Sequence, residues 1–304
     1  RICSKTGDSL PGWPLKTGVR LLFKIVRKEV LNPNVTLMEI EAPFVAKKVK
    51  AGQFIILRID EYGERLPLTV AGYDREKGTV TIIFQLVGMT TKALATLNEG
   101  DYLKDFVGPL GKPTDVEGKK RVAVVGGGVG CAIAYPVAKA MHEAGAVVDG
   151  IMGFRSKDIV ILEKEFNEAC DNFYMMTDDG SYGEKGFVTV KLQELLESGI
   201  QYDEVIAIGP VPMMKFVCKT TEPYGVKTIV SLNPIMIDGT GMCGGCRVTV
   251  GGETKFACVD GPEFDGHQVD FAELMNRNSA YRDQEQEEMS HMCRFEKLAQ
   301  DLIK

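Results

Sequence analysis

Three cysteines and one aspartate are spaced in this sequence as the ligands of a metal centre would be. Asp238, Cys243, Cys246 and Cys258 follow the pattern Asp-x4-Cys-x2-Cys-x11-Cys. An iron–sulfur protein of the plant type has Cys-x4-Cys-x2-Cys and a distant fourth Cys, so here an Asp stands at the first position. Six glycines lie in the same stretch, and their N–H groups can approach bridging sulfides closely. The pattern predicts a [2Fe–2S] cluster held by these four residues.

Two other interpretations of this stretch stay open. Zinc also binds Cys-x2-Cys pairs, but a structural zinc site usually has a second close pair, and His267 stands alone nine residues beyond Cys258. A disulfide between Cys243 and Cys246 is disfavoured by the reducing compartment that the low cysteine density indicates. The stretch CRVTVGGETKFAC predicts a hairpin that turns at Gly251-Gly252 and returns Cys258 to the loop.

The composition limits the class of protein. A net charge of −6 argues against nucleic acid as a main partner. No run of 18 or more apolar residues is present, so we expect no membrane span. Eight Cys in 304 residues are too few for a disulfide scaffold and indicate a cytoplasmic protein. Three scattered cysteines are expected in the core, namely Cys131, Cys170 and Cys218.

The elements that position the cysteine loop begin with a β-rich first third. From Val19 to about Lys112, short apolar runs rich in β-branched residues are separated by Pro, Gly, Asn and Asp. At least five strands without helical periodicity predict a closed or nearly closed antiparallel barrel. One short helix is predicted at TTKALATL, with Thr90 or Thr91 as its N-cap.

Two stretches of this barrel could bind an anion. ERLPLT places Arg65 near Thr69 on a strand, and GMTTKAL places Gly88, Thr90 and Thr91 at a helix start. The free N–H groups and dipole of a helix N-terminus suit a flavin diphosphate, for which Arg65 would be a charge-assisted partner. On local grounds the plainer alternative is favoured, with Arg65 a surface charge and Thr90 a helix cap.

The middle third has the order strand, glycine-rich turn, helix, strand. RVAVV is typical of a strand buried on both faces, and Gly126, Gly127, Gly128 and Gly130 follow it directly. Such a turn binds a pyrophosphate through backbone N–H groups and the helix dipole. The run G-G-G-V-G is not the full G-x-G-x-x-G fingerprint, and a purely structural use of the glycines is the alternative.

Further strands and helices predict a parallel sheet in this third. Strands are expected at FYMMT and DEVIAIG, and a helix at TVKLQELLES is opened by Thr189. The helix after the glycine turn should run from about Cys131 to Ala144, with Pro136 in or near its first turn.

The carboxyl edge of that sheet would carry more nucleotide contacts. Gly209 and Pro210 end a later strand, and Met213 follows them in IGPVPMM. Arg155 follows the second strand and could serve a 2′-phosphate, while no acidic residue for an adenine ribose is evident. Charge therefore does not separate NAD from NADP.

The three parts in this order resemble the ferredoxin–NADP reductase superfamily with an appended cluster domain. Two subfamilies share the layout over nearly all of Val19–Asp270. One is the electron-transfer subunit of dihydroorotate dehydrogenase, which typically has four Cys in the loop. The other is the small (alpha) subunit of NADH-dependent reduced ferredoxin:NADP oxidoreductase, also called sulfide dehydrogenase subunit beta, which typically has Asp-Gly-x-Gly-x-Cys-Gly-x-Cys. The sequence DGTGMCGGC favours the second.

The resemblance implies a role for each motif. RLPLT looks like the flavin-strand motif, although it is one residue longer than the usual Arg-x-Tyr-Ser/Thr, and GMTT looks like the turn that binds the FAD diphosphate. GGGVG and IGPVPMM look like a nicotinamide-dinucleotide site with a preference for NAD(H), and TDDGSYGEKG resembles the segment that borders the nicotinamide. The implied cofactor residues are Arg65, Leu68, Thr69, Gly88, Thr90, Thr91, Gly126, Gly127, Gly128, Gly130, Arg155, Asp178, Gly209, Pro210 and Met213.

The resemblance also implies a division of the chain. Residues 1–18 are an N-terminal extension without an initiator Met, either truncated or introduced by cloning, to which we assign no function. The FAD-binding β-barrel covers 19–116, the NAD(H)-binding α/β domain 117–226 and the [2Fe–2S] domain 227–272. The polar tail 273–304 is helix-prone and is either solvated or packed on a partner. No role is assigned to Cys3 or Cys293.

The implied activity is electron transfer carried by cofactors, without a catalytic side chain. A hydride would pass between NAD(H) and FAD, and single electrons would pass through the cluster to a larger subunit with its own FAD and two [4Fe–4S] clusters. In such a heterodimer this chain would be the NAD-side branch of flavin-based bifurcation, and ferredoxin would be reached only through the partner. The alternatives are the dihydroorotate dehydrogenase subunit and a zinc-stapled, non-catalytic binding module.

Overall fold

The structure is a computed structural model that describes residues 22–281, together with 283, 284 and 287. Its first sheet has seven antiparallel strands in the order β6-β1-β2-β5-β4-β3-β7. The strands are β1 Phe23–Asn32, β2 Val35–Glu41, β3 Phe54–Arg58, β4 Leu66–Asp74, β5 Thr79–Gln85, β6 Tyr102–Leu103 and β7 Asp105–Leu110. Two short helices, α1 Pro43–Ala46 and α2 Met89–Thr96, lie in the connections.

The two edges of this sheet lie close to each other. Edge strands β6 and β7 are separated along the chain by Lys104 alone, whose N–H donates to the carbonyl of Arg58 at 3.0 Å. The sheet is therefore a nearly closed barrel, which confirms the predicted fold class. The stretch DYLKDFVGPLG forms two short strands, β6 and β7, because the chain passes from one edge of the sheet to the other at Lys104.

The second sheet also has seven strands, in the order β11-β10-β9-β8-β12-β13-β16. They are β8 Arg121–Gly127, β9 Val147–Phe154, β10 Asn172–Thr177, β11 Glu184–Lys185, β12 Glu204–Ile208, β13 Thr228–Ser231 and β16 Glu263–Asp265. All neighbours are parallel except β16, which pairs antiparallel with β13. The helices of this part are α3 Cys131–Glu143, α4 Glu163–Ala169, α5 Val188–Glu197 and α6 Val211–Thr221.

Two helix details differ from the sequence prediction. Pro136 lies inside α3, beyond its first turn. A proline there lacks the N–H that would bond the carbonyl four residues earlier, and the helix tolerates the loss. Helix α5 begins at Val188 with Phe187 as its N-cap, so Thr189 is already helical and does not open the helix.

The cysteine segment is inserted between β13 and β16. It contains the hairpin of β14 Arg247–Val250 and β15 Glu253–Phe256, whose turn is Gly251-Gly252 as predicted, with φ of +60° and +78°. After β16, helix α7 spans Phe271–Asn278. Asp270 caps α7 by accepting hydrogen bonds from the N–H groups of Ala272 at 3.0 Å and Glu273 at 2.9 Å.

Two hydrophobic cores join these parts. On one side of the parallel sheet, α3 and α4 share a core with barrel residues that include Leu37 and Ile83. On the other side, α5, α6 and α7 share a core with the cysteine segment and with Phe54 and Ile56 of β3. Cys131, Cys170 and Cys218 are buried in these cores, as the sequence predicted.

A buried ionic network ties the parallel strands together at their amino ends. Asp149 on β9 is fully buried and accepts hydrogen bonds from Arg121 at 2.8 Å and from the Tyr202 hydroxyl at 2.5 Å. Asn172 of β10 donates to the same carboxylate at 2.7 Å. Burial, followed by the bond to Asp149, raises the pKa of Tyr202. A buried charge is tolerated here because it is both paired and hydrogen-bonded.

No helix among the described residues is long and apolar enough to cross a membrane. Residues 1–18, Cys3, Cys293 and most of the predicted tail lie outside the described residues. Helix α7 runs across the boundary that we placed between 272 and 273. The domain boundaries stay predictions.

Candidate cofactor sites

The hairpin places the last candidate cluster ligand beside another. Cys246 directly precedes β14 and Cys258 follows β15. The N–H of Cys258 donates to the Cys246 sulfur at 3.4 Å, and the N–H of Ala257 donates to the Cys246 carbonyl at 3.1 Å. Burial, and then the neighbouring Cys246, raise the pKa of Cys258 to about 12. Ligation of iron there must therefore displace a proton.

The other two candidate ligands lie together at the exposed end of the loop. Cys243 is exposed, and N–H groups of Gly245, at 3.4 Å, and of Asp238 point at its sulfur and lower its pKa. Asp238 accepts hydrogen bonds from both the N–H of Thr240, at 3.1 Å, and the Thr240 hydroxyl. These bonds lower the pKa of Asp238, so its carboxylate is ionised. Thr240 was not predicted, although a hydroxyl two residues after an Asp is a known signal for such a turn.

The donor set fits an iron–sulfur cluster in its chemistry. Three thiols, one ionised carboxylate and several N–H groups aimed at sulfur share one loop, whose shape depends on left-handed glycines. The φ values are +82° at Gly239, +83° at Gly241 and +65° at Gly244. Within the described residues, no three His, Cys, Asp or Glu side chains converge on a point that could hold a single metal ion.

The two predicted flavin motifs lie next to each other. Arg65 is exposed one residue before β4, while Leu68 and Thr69 on β4 pair with Ile55 and Phe54 of β3. The Thr90 hydroxyl at the start of α2 donates to the Glu64 carboxylate at 2.6 Å. This bond joins the helix start to the residue beside Arg65, a link that no local sequence pattern predicts.

The start of α2 differs in part from the prediction. Its N-cap is Gly88, and neither Thr90 nor Thr91 is in that position. The Thr91 hydroxyl is buried and accepts from the N–H groups of Val87 at 3.2 Å and Gly88 at 3.0 Å. The Thr91 hydroxyl thus satisfies backbone N–H groups at the start of the helix. Of the three residues predicted to bind a ligand at this turn, Gly88 and Thr90 are the ones that a ligand could reach.

The predicted dinucleotide residues meet at the point where the strand order of the parallel sheet reverses. Strands β8 and β12 are neighbours there, with Gly126 paired to Ile208. A Cβ atom on Gly209 would lie 2.9 Å from Met213 and 3.1 Å from the carbonyl oxygen of Gly127. In open α/β sheets, ligands bind at such a switch point, outside the carboxyl ends of the strands.

The four glycines predicted to follow the strand have different surroundings, since Gly126 and Gly127 are the last residues of β8 and only Gly128 and Gly130 lie in the turn. A Cβ on Gly126 would lie 2.6 Å from Met152, one on Gly130 would lie 2.5 Å from the Ile208 carbonyl, and one on Gly127 would strike the Met213 sulfur. The lack of a side chain at these three positions lets the neighbouring elements pack closely. This agrees with the alternative in which the glycines have a purely structural use. Gly128 has open space around its Cβ position and a φ of +56°. It is the glycine of this turn that local packing does not require.

Arg155 and Asp178 lie along the same edge. They directly follow the neighbouring strands β9 and β10, and both are exposed. The N–H of Asp178 donates to the carbonyl of Phe154 at 3.0 Å, and that of Asp179 to the carbonyl of Arg155 at 3.3 Å. Every residue predicted to bind the dinucleotide therefore lies at the carboxyl edge of one sheet.

The cysteine loop contacts the barrel close to the predicted flavin strand. A Cβ on Gly239 would lie 2.7 Å from Ile56 Cδ1 and 2.9 Å from Leu110 Cδ1. Ile56 on β3 pairs with Pro67 of β4, inside the motif RLPLT. The charge of Arg65 also contributes to the lowered pKa of Asp238. Neither Ile56 nor Leu110 was predicted as a site residue, because no local pattern marks a contact between distant parts of the chain.

An antiparallel barrel, a parallel sheet with a glycine turn at its switch point and a cysteine loop define an oxidoreductase of the ferredoxin–NADP reductase superfamily. Residues 233–270 match the iron–sulfur cluster binding domain of dihydroorotate dehydrogenase B. A solved structure of the NADH-dependent reduced ferredoxin–NADP oxidoreductase, described for flavin-based electron bifurcation, is 43% identical with a TM-score of 0.85. It covers 91% of this chain and 100% of its own.

Two relatives with similar sequences identify the family of the chain. An uncharacterised protein of Clostridium beijerinckii, encoded in the adh 3′ region, is 57% identical and covers 87% of this chain and 92% of its own. The homologue of the dihydroorotate dehydrogenase B (NAD⁺) electron transfer subunit in Thermotoga maritima is 47% identical, and the match covers 88% of this chain and 94% of that protein. The chain therefore belongs to the family of these electron-transfer subunits and their homologues. It is a flavin and iron–sulfur oxidoreductase subunit that works with a partner.

Proposed function

We propose that this chain exchanges a hydride with NAD(H) through FAD and exchanges single electrons with a larger subunit through a [2Fe–2S] cluster. The FAD, when bound, supplies the conversion between two-electron and one-electron chemistry. The protein contributes binding and orientation, and no side chain acts as a general acid or base. The proposed compartment is the cytoplasm.

The observation that carries the proposal is the contact between the cysteine loop and the flavin strand. Gly239 packs on Ile56 and Leu110, directly beside the residue proposed to ligate iron. Arg65, at the head of the proposed flavin motif, is close enough to Asp238 to affect its pKa. Two cofactors held by these residues would be neighbours, as electron transfer between them requires.

On the barrel, we propose that Arg65 and the start of α2 hold the FAD diphosphate. The N–H of Thr90, in the first turn of α2 where backbone donors have no intrahelical partner, and a guanidinium one residue before β4 form a fitting anion site. Glu64 accepts a hydrogen bond from Thr90 and thereby fixes the helix start against the strand. Leu68 and Thr69 would lie along the isoalloxazine ring.

At the sheet edge, we propose that the glycine turn and the β12 end hold NAD(H). The open position at Gly128 and the helix dipole of α3 suit the pyrophosphate. Met213 lies against Gly127 and Gly209, where a nicotinamide entering the switch point would meet it. Arg155 and Asp178 would contact the two ends of the dinucleotide.

In the loop, we propose that Asp238, Cys243, Cys246 and Cys258 ligate the cluster. Thr240 would orient the carboxylate through the oxygen that it already bonds, which leaves the second oxygen for iron. Asp238→Ala should lose most of the cluster, whereas Asp238→Cys should retain a cluster with a changed EPR spectrum. Thr240→Val is the matched variant, for which we expect cluster retention with a changed potential. Unchanged iron content and EPR in Asp238→Ala would refute ligation by this carboxylate.

We further propose that the partner carries FAD and [4Fe–4S] clusters, with this chain as the NAD-side branch of an electron-bifurcating heterodimer. The Asp-Gly-x-Gly-x-Cys-Gly-x-Cys pattern and the likeness to the NADH-dependent ferredoxin–NADP oxidoreductase support this choice. A second candidate is the electron-transfer subunit of NAD-dependent dihydroorotate dehydrogenase, which the match at residues 233–270 favours.

Purification from the native source, with flavin, metal and subunit analysis, tests these proposals. We expect flavin bands, broad iron–sulfur absorption and a copurifying subunit with [4Fe–4S] clusters. A copurifying barrel-type dehydrogenase with FMN would instead establish the second candidate. A colourless protein that carries zinc would refute electron transfer altogether.

A further inference from the structure

The last two peptide bonds of the Cys243–Cys246 segment each accept a hydrogen bond from an arginine. Arg247, at the start of β14, donates to the carbonyl of Gly244 at 3.0 Å. Arg277 on α7 is 32 residues away from Gly245 along the chain and donates to its carbonyl at 3.2 Å. Two guanidinium groups from different elements therefore hold successive carbonyl oxygens of this segment.

The first of these peptides connects a guanidinium to a candidate cluster ligand. The peptide that joins Gly244 to Gly245 is trans, so its N–H and its carbonyl point in opposite directions. Its oxygen accepts from Arg247, and its N–H donates to the Cys243 sulfur at 3.4 Å. The conformation depends on Gly244, whose φ of +65° lies in the left-handed region.

The second peptide has the same polarity. It is also trans, and its oxygen on Gly245 accepts from Arg277, so the N–H of Cys246 points away from that guanidinium. A Cβ on Gly245 would lie 3.5 Å from the Cys243 sulfur, so the main chain passes close to this sulfur. The partly positive N–H ends of both peptides thus lie on the side remote from the arginines, which for the first peptide is the side of the sulfur.

A cation on the carbonyl oxygen of a peptide strengthens the N–H donor at its other end, since hydrogen bonds in a chain polarise one another. A cluster gains one negative charge when it is reduced, so N–H groups aimed at its sulfurs favour the reduced form. We propose that Arg247 and Arg277 are positioning residues that orient and polarise these two peptides and thereby raise the reduction potential of the cluster. The inference rests on the proposed function, because it requires a cluster on Cys243 and Cys246.

A potentiometric titration followed by EPR, on the full-length, cofactor-loaded protein, measures this effect. Arg247 is exposed and Arg277 is half-buried, so water screens part of it. We expect Arg247→Gln and Arg277→Gln each to lower the ratio of reduced to oxidised cluster at a fixed potential about threefold. The double variant should lower it about tenfold, which corresponds to about 59 mV for one electron.

The lysine variants keep the test valid if a glutamine variant does not assemble the cluster. Arg247→Lys and Arg277→Lys retain the charge but replace the planar guanidinium by a flexible donor. We expect each to lower the ratio in the same direction but by less than the corresponding glutamine variant. Lysine variants with the ratio of the wild type, alongside glutamine variants that lack the cluster, would overturn the inference.

Lys255→Gln is the matched control, because Lys255 lies on the same hairpin and its Nζ donates to Glu253 at 2.6 Å rather than to a loop carbonyl. This substitution also removes one positive charge. We expect the potential of the wild type. A shift equal to that of the arginine variants would overturn the inference, since net charge alone would then account for the change.

Two other outcomes separate the inference from the proposed function. Glutamine variants with a lowered Tm and the potential of the wild type would show that the arginines only hold the loop against its neighbours. That result would overturn the inference and leave the proposed cluster standing. A wild type without iron–sulfur absorption and without an EPR signal would instead refute the proposed cluster, and the inference with it.

Discussion

Glu263 is a partly buried carboxyl group at the junction of the barrel and the parallel sheet. Its Oε1 accepts a hydrogen bond at 2.7 Å from the hydroxyl of Thr114, in the segment that leaves the barrel. A Cβ on Gly52 would lie 2.9 Å from the same oxygen. Burial above all, with the charges of Glu204 and Asp115, raises the pKa of Glu263 to about 7, against the lowering effect of the Thr114 hydrogen bond and of Lys119. We expect Glu263→Gln to stabilise the protein at alkaline pH.

The size and sign follow from the difference between folded and unfolded pKa values. A rise from 4.5 to about 7 corresponds to about 3 kcal/mol of unfolding free energy, at about 1.36 kcal/mol per pH unit. Below pH 4.5 the Glu263 carboxyl is protonated in both the folded and the unfolded protein and does not reduce the free energy of unfolding. As pH rises to about 7 the unfolded chain ionises first, so the wild type loses stability, and above that pH the full cost is present.

Thermal unfolding of the wild type and Glu263→Gln at about pH 5 and about pH 8.5 measures this effect. We expect the variant to be more stable by only roughly 2 °C at the lower pH and by roughly 6 °C at the higher one, at roughly 2 °C per kcal/mol. Glu253→Gln is the control, since Glu253 is exposed and paired with Lys255, and its Tm difference should not vary between these values. A Tm difference for Glu263→Gln that is the same at both pH values would refute the reasoning.

Three further substitutions test other contacts. Gly239→Ala would place a Cβ 2.7 Å from Ile56 on a left-handed residue, so we expect a loss of about 1–3 kcal/mol in unfolding free energy and slower flavin-to-cluster electron transfer in stopped flow. Tyr202→Phe removes a donor from buried Asp149 and should cost about 1–3 kcal/mol in urea unfolding, with no change in NADH affinity by calorimetry. Gly130→Ala would press on a β12 carbonyl at 2.5 Å and should weaken NADH binding roughly tenfold, if separating the turn from β12 costs about 1.4 kcal/mol; unchanged affinity would contradict the placement of the dinucleotide.

Local patterns sufficed for the features whose residues are neighbours in the chain. The Gly251-Gly252 hairpin, the strand before Gly126 and the strands of the barrel follow from turn chemistry and from runs of β-branched residues. The carboxyl edge of the parallel sheet then gathers Gly127, Gly209 and Arg155 without further information, since parallel strands all end on one side.

Features that join distant parts of the chain gave no such signal. The carboxylate of Asp149 meets Tyr202 and Asn172, and that of Glu263 meets Thr114, through pairs separated by 23 residues or more. The short strand β16 also escaped prediction, because three residues carry no periodicity and the partner β13 is far back in the chain. At Thr91 the sequence indicated a helix start correctly but not which group the hydroxyl would satisfy.

The position of β16 has a consequence for the protein without its metal. Without β16, strand β13 would be the edge strand of the parallel sheet. Among the described residues, its outer side pairs with β16, through Ile229, Val230 and Ser231. Along the chain, β16 comes after the cysteine hairpin. A cluster bound by the cysteine loop as proposed would hold the hairpin in place and thereby help to keep that edge closed to other chains, since an unpaired strand is a template for self-association. Cluster loss would then appear as insolubility as well as inactivity.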